Sequence, residues 1–231
     1  AKIGILSQND DFGRDYFNGL KEGLGKEANR IIKHVTYDVT DPTVDSQIIQ
    51  LKDSGANVFM NITAPKQAAQ AIRKAADVNW KPAHYLVNVS VSVAAVMKPA
   101  GFDNCQGIIT AAYLKDATDH QWDNDEEMKA WSAWMDKHMP GANKADANHI
   151  YGYAASTLMH ETLKRCGDNL TRANLMKQAA SFHKQKVPLL LPGITINTSP
   201  TDFYPIQAVR LARFKSGSWQ LFGDVLSHES A

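Results

Sequence analysis

The sequence predicts an α/β fold: a doubly wound parallel sheet in the first half, then three helices and a β-hairpin. Three observations predict it. Apolar runs of strand length alternate with amphipathic stretches of helix length up to residue 112. Turn-forming residues mark each switch between them, as in Gln8-Asn9-Asp10-Asp11 and Thr63-Ala64-Pro65. Beyond Tyr113 the alternation stops and helical periodicity takes over.

Lys2 to Ser7 reads as a buried strand, Gln8 to Asp11 as the turn at its carboxyl end, and Phe12 to Glu27 as an amphipathic helix. Tyr16, Leu20 and Leu24 fall on one stripe of that helix. Arg30 to Tyr37 alternates as a second strand, and Asp45 to Ser54 is a helix with Ile48, Ile49 and Leu51 apolar. Asn57 to Ile62 is a third strand, and Pro65 to Val78 an alanine-rich helix with proline in its first turn, where the missing amide hydrogen costs nothing. Ala83 to Val87 is a fourth strand, Ser90 to Met97 a short helix and Gly107 to Ala112 a fifth strand. Strands that alternate with helices pair in parallel through right-handed crossovers. The turns after strands one, three and four (Gln8 to Phe12, Asn61 to Pro65 and Val87 to Ser90) then share one edge, where open α/β sheets hold their ligands.

From Asp116 to Asp125 the chain is polar and irregular, and helices follow at Glu126 to His138, Asp146 to Cys166 and Thr171 to Ala180. Trp131 and Trp134, three apart, read as one packing face. Leu189 to Thr195 is expected to be extended. Ile206 to Phe214 and Trp219 to Phe222 flank Lys215-Ser216-Gly217-Ser218 as a β-hairpin. A run of helices without strands is hard to bury by itself, so this middle segment is expected to pack on something else.

Composition narrows the function classes. The 231 residues are 44% hydrophobic, enough for a substantial core, and the formal charge of +1 gives no bulk attraction to nucleic acid or acidic lipid. No apolar run approaches the ~20 residues that span a bilayer, and no charged segment followed by an apolar one opens the chain. Two cysteines, Cys105 and Cys166, are able to form one disulfide, but nothing in their spacing demands it.

The opening turn is the most specific chemical feature. Asn9, Asp10 and Asp11 can accept hydrogen bonds from the first amides of the helix, and Phe12 presents an aromatic face beside them. The same residues also serve as a simple helix cap. Acidic side chains repel a phosphate there, and neither G-x-G-x-x-G nor G-x-x-x-x-G-K-[ST] is present. There is no G-x-S-x-G, no H-E-x-x-H, and the eight histidines, His228 among them, lack metal-ligand spacing. His149 and His160, eleven apart on one helix, read as surface or packing residues. No enzyme, cofactor or metal is expected.

Four stretches carry a family resemblance by their order: SQNDDFGRDYFNGLKEGL, DSQIIQLKDSGANVFMNITAPKQAAQAIRKAADVNWKPAHYLVN, HIYGYAASTLMHETLKRCG and FYPIQAVRLARFKSGSWQLFGDV. Together they resemble the substrate-binding proteins of branched-chain amino acid ABC transporters, of the two-lobed type I periplasmic binding fold. The resemblance implies that residues 1–112 are lobe two, residues 113–200 the segment completing lobe one, and residues 201–231 a hairpin returning to lobe two, with most of lobe one missing. It implies a periplasmic solute receptor whose lobes close on a small molecule and dock on a membrane permease, with no nucleic-acid partner. Carried over by position, the ligand-binding residues are Asp10, Asp11, Phe12, Asn61, Thr63, Asn88 and Ser90. Phe12 matches the family's aromatic in the opening turn. Thr63 stands where the family often has an aromatic. The turn after strand four, which often supplies an acid to hold an ammonium, reads Val87-Asn88-Val89-Ser90 with no carboxylate. An ammonium without a carboxylate partner is costly to bury, whereas Asn88 and Ser90 can bond a neutral or acidic group. The implied ligand is a branched-chain or similar amino acid, or an aromatic or aliphatic carboxylic acid. The effector domain of a transcription regulator shares this architecture, but it needs a DNA-binding head, and no basic cluster suggests one. A Rossmann-like enzyme lacks its fingerprint.

Overall fold

The computed structural model describes residues 1–227. Seven strands form one sheet in the order β2-β1-β3-β4-β5-β6-β7. They are β1 (Ile3–Gln8), β2 (Ile31–Tyr37), β3 (Val58–Ile62), β4 (Ala83–Leu86), β5 (Ile109–Ala112), β6 (Ala208–Lys215) and β7 (Ser218–Ser227). The first five pair in parallel. The chain divides into two compact units: Ala1–Ala111 with Ala212–Gln220, and Ala112–Leu211 with the described residues from Leu221 on. The end of the hairpin segment, residues 228–231, lies outside the described residues.

In the first unit the alternation of β1 and β3 distributes side chains to two faces. Ile3, Ile5, Val58 and Ile62 meet Phe17, Leu20 and Leu24 of α1 (Asp11–Leu24) on one face. Leu6, Val35, Tyr37 and Phe59 pack on the other face with Ile48 and Leu51 of α2 (Asp45–Asp53) and with Ala71 and Ala75 of α3 (Pro65–Asp77). Alanines at that spacing let α3 approach the sheet closely. The sequence stripe on α1 is rotated: Gly13 and Phe17 face the sheet, while Tyr16 sits at its margin, 41% exposed. The short helix expected from Ser90 begins later. A 3-10 turn covers Asn88–Ser90, and a π-helix over Val93–Met97 starts behind Ser92, whose side chain accepts the Ala95 amide. The two short helices α4 (Lys98–Ala100) and α5 (Phe102–Cys105) follow. Ser216 and Gly217 join β6 to β7 with φ of 52° and 91°. Positive φ at both residues is the two-residue turn that suits the twist of a hairpin.

The second unit is built on α6 (Glu126–His138), α7 (Ala147–Cys166) and α8 (Arg172–Ala179), each capped by the side chain before it: Asp125, Asp146 and Thr171. Trp131 is buried with Met128, Met135, Ile150 and Leu189. Trp134 is 38% exposed and lies edge-on to Tyr153. The segment Leu189 to Thr195 does not form the expected extended run. It makes turns and an isolated bridge between Leu114 and Leu190. Pro188 and Pro192 remove amide donors from any ladder, and Leu189 adopts φ of 69°. Its apolar side chains are nonetheless core, because Leu189, Leu190, Leu191 and Ile194 are all buried. Both cysteines are free and buried.

Candidate functional site

At the carboxyl end of β1 the chain turns directly into α1, and Asp10 takes the cap position in extended conformation. Its carboxylate accepts the Gly13 amide at 3.1 Å and the Gln8 side-chain amide. The Gln8 bond, then the Gly13 amide, hold the Asp10 carboxyl below the usual carboxylate range. Gln8 is itself fixed, since the Tyr37 hydroxyl donates to Gln8 Oε1 at 2.9 Å. The same hydroxyl accepts the Ala64 amide at 2.8 Å. One phenol, 1% exposed, therefore ties together the ends of β1, β2 and β3. Burial pushes its pKa up. Sequence reasoning missed Gln8 and Tyr37 as site-builders. The available signal was a tyrosine closing an alternating strand, where its ring reaches the core and its hydroxyl the turn.

A second network joins β3 to β4. Asn61 Oδ1 accepts the Thr63 hydroxyl at 2.7 Å, and Asn61 Nδ2 lies 3.1 Å from His84 Nε2. Because Asn61 Oδ1 is taken, its Nδ2 donates and His84 Nε2 accepts. The ring is thus neutral, with its proton on Nδ1. Burial depresses the His84 pKa to about 3. The Ser90 hydroxyl donates to the Thr63 carbonyl at 2.5 Å. Asn61, Thr63 and Ser90 are completely buried.

The seven residues singled out in the sequence all lie in the first unit, at the ends of β1, β3 and β4, and they fall into two groups. Asn61, Thr63 and Ser90 spend their side-chain polar atoms inside the fold, and Asp10 spends its own on the cap. Asp11, Phe12 and Asn88 remain accessible. Asp11 pairs with Arg14. Phe12 is half-buried and meets the Tyr16 ring edge to face, centroids 5.1 Å apart at 64°. Tyr16 in turn donates its hydroxyl to Asn88 Oδ1 at 3.0 Å. Sequence reasoning placed Tyr16 on the core stripe of α1. The structure makes it the bridge between the first turn and the turn after β4.

Gln67, in the first turn of α3, is 4% exposed and its side chain has no hydrogen-bond partner among the described residues. A glutamine three residues after a helix cap usually reaches back to the cap's amide. Here the amide of Ala64, the cap residue, is already taken by Tyr37.

In the second unit a cavity of about 320 Å³ is lined by Phe182, Asn197, Thr198, Asp202 and Gln207, among others. Thr198 donates to Ala179 and Gln207 to Asp202, so these groups serve the local fold. Among the described residues no three metal-ligating side chains cluster, and no helix is long and apolar enough to cross a membrane. His228 lies outside the described residues.

Comparison with known proteins places this geometry. No curated protein matches the chain. Solved structures do. A branched-chain amino acid ABC transporter protein from Thermus thermophilus, solved with bound valine, superposes with a TM-score of 0.82 at 13% identity, covering 99% of this chain and 61% of its own. An extracellular ligand-binding receptor from Rhodopseudomonas palustris HaA2 gives 0.77 at 14% identity, covering 95% and 62%. A possible leucine/isoleucine/valine-binding protein from Rhodopirellula baltica SH 1 gives 0.75 at 16%, covering 96% and 59%. The fold is that of type I periplasmic binding proteins, and the chain spans about three fifths of the length of these structures. The model of one family, described as periplasmic binding protein, matches residues 1–218. The chain therefore belongs to the periplasmic binding protein family.

Proposed function

We propose that this chain forms part of an extracytoplasmic solute receptor, which captures a small organic molecule and delivers it to the membrane permease of an ABC transporter. The observation that carries the reading is the family match over residues 1–218, joined to a fold of parallel strands, whose carboxyl edge is where open α/β sheets hold their ligands. At that edge Phe12, Tyr16 and Asn88 remain accessible while the groups behind them are locked by hydrogen bonds. A preorganised wall with an aromatic face and a polar tip suits a ligand with an apolar body and a polar head.

The ligand classes are a branched-chain or similar amino acid and an aromatic or aliphatic carboxylic acid. The family's neighbours favour the first, in that proteins of similar fold are named for branched-chain amino acids. The Val87-Asn88-Val89-Ser90 turn, with no carboxylate, favours the second.

Thermal melts of the full-length protein with leucine, valine, phenylalanine, benzoate and 3-phenylpropanoate test the reading. A ligand that binds only the native state raises Tm, by an amount that grows with its concentration over Kd. At least one member is expected to do so. A panel that leaves Tm unmoved at millimolar concentration contradicts the receptor reading.

A further inference from the structure

The Tyr16 to Asn88 hydrogen bond decides which chemical group the turn after β4 offers. Asn88 Oδ1 is occupied by the Tyr16 hydroxyl. With one lone pair of that oxygen taken, the polar groups this amide has left to offer are chiefly the two hydrogens of its NH2 group. Among the described residues those two hydrogens have no partner, and Asn88 is half-buried rather than sealed. Tyr16 is held in turn by its contact with Phe12, and burial raises its pKa, so the phenol stays a donor. Ser90 offers nothing in competition, because its hydroxyl is committed to the Thr63 carbonyl.

At the same edge of the sheet Asp11 is paired with Arg14, while Asp10, bonded by the neutral Gly13 and Gln8 amides, keeps its negative charge. Lys66 stands exposed in the first turn of α3 with no ion-pair partner among the described residues. A cation there opposes the helix dipole, since the amino-terminal turn is already positive and carries no acidic residue. The placement raises the positive potential where β3 meets α3.

We propose that Asn88, oriented by Tyr16, donates an amide hydrogen to an acceptor oxygen of the ligand, so that the site selects a carboxylate on an aromatic or aliphatic body and not an ammonium. Phe12 and Tyr16 supply the aromatic corner for that body. Tyr16 is a positioning residue: it acts by fixing which end of the Asn88 amide faces outward. This specificity rests on the receptor reading and deepens it.

Calorimetric titration of the full-length protein with 3-phenylpropanoate, its primary amide, benzoate, leucine and 2-phenylethylamine, on the wild type, Asn88→Asp and Tyr16→Phe, tests it. Asn88→Asp keeps the acceptor for Tyr16 but replaces the donors by a negative charge. It is expected to weaken the carboxylate ligand at least about tenfold, the scale of a lost charge-assisted hydrogen bond, with the ligand-free Tm within a few degrees of wild type. Tyr16→Phe frees the amide to rotate, and is expected to lower the preference for acid over primary amide, a ratio that a purely structural role leaves unchanged. If the wild type binds but Asn88→Asp retains the acids within about threefold, the proposal is overturned and the receptor reading stands. Binding of the amine alone has the same meaning. Silence of the wild type towards every ligand overturns both.

Discussion

Gly13 shows how closely a single residue can determine the site. A Cβ at this position would lie 1.9 Å from the Gln8 carbonyl oxygen, which is backbone and cannot swing away. The glycine lets α1 start immediately after β1 and brings Asp10, Phe12 and Tyr16 to the sheet edge. Gly13→Ala is expected to cost about 3 kcal/mol or more, measured by urea denaturation, because the helix must move away from the strand end. His84 sets a second residue-scale expectation. Its pKa falls from 6.5 to about 3 through burial, so the folded state resists a proton that the unfolded chain accepts. Stability that is complete above about pH 6.5 is therefore lost as the pH falls towards 3. Protonated Nε2 also turns from acceptor to donor and faces the Asn61 amide. Thermal melts from pH 8 to pH 4 should show a declining Tm, and His84→Gln, which keeps an acceptor for Asn61, should flatten the acid limb. Burial raises the Asp116 pKa, which works in the opposite sense, so the contrast between wild type and variant isolates the histidine. What was legible at this scale was the capping chemistry of Asp10 and the aromatic Phe12 beside it. The buried roles of Asn61, Thr63 and Ser90 were not, because their partners, His84 in β4 and the Thr63 carbonyl after β3, lie on neighbouring segments that only the folded sheet brings together.

At the scale of elements, strand and helix periods were legible wherever the apolar side chains meet the core throughout, as in β1, β3 and α3. They misled where burial and extension part company. Leu189, Leu190, Leu191 and Ile194 are apolar because they are buried, but two prolines bar them from a ladder. What anchors this irregular segment was invisible to periodicity: the Leu189 amide donates to Glu127 Oε2 at 3.0 Å, and the Lys115 amide to the Leu189 carbonyl at 2.8 Å. Lys115 is the hub. Its side chain, 6% exposed, contacts Asp125 and Glu127 at 2.8 Å each and lies over the Trp122 ring. Burial alone would lower its pKa, but the hydrogen bonds to Asp125 and Glu127 prevail and raise it. Lys115→Met leaves two carboxylates facing each other without their cation. A loss of about 2–4 kcal/mol in denaturant unfolding is expected, below the top of the range for buried pairs because Glu127 is half exposed. Adding Asp125→Asn, which keeps an N-cap for α6, should restore part of the loss. Little or no cost for Lys115→Met would contradict a bracing role.

At the scale of the molecule, the parallel order of β1 to β5 and the helices on both faces of the first unit follow from right-handed crossovers, and so were legible from the alternation of elements. The boundary between the two units falls within continuous strands: β5 ends just past it, and β6 and β7 each contribute to both units. α7 in the second unit leaves Tyr151, Met159 and Leu163 exposed at multiples of four residues.

The central claim is that the carboxyl edge of the first unit's sheet receives the ligand. Hydrogen exchange of the full-length protein, with and without a ligand that raises its Tm, tests this most directly. The account predicts slowed exchange in the turns around residues 9–16, 63–67 and 87–91, the segments that carry Phe12, Tyr16, Gln67 and Asn88. Unchanged exchange in all three, with protection elsewhere, would contradict it.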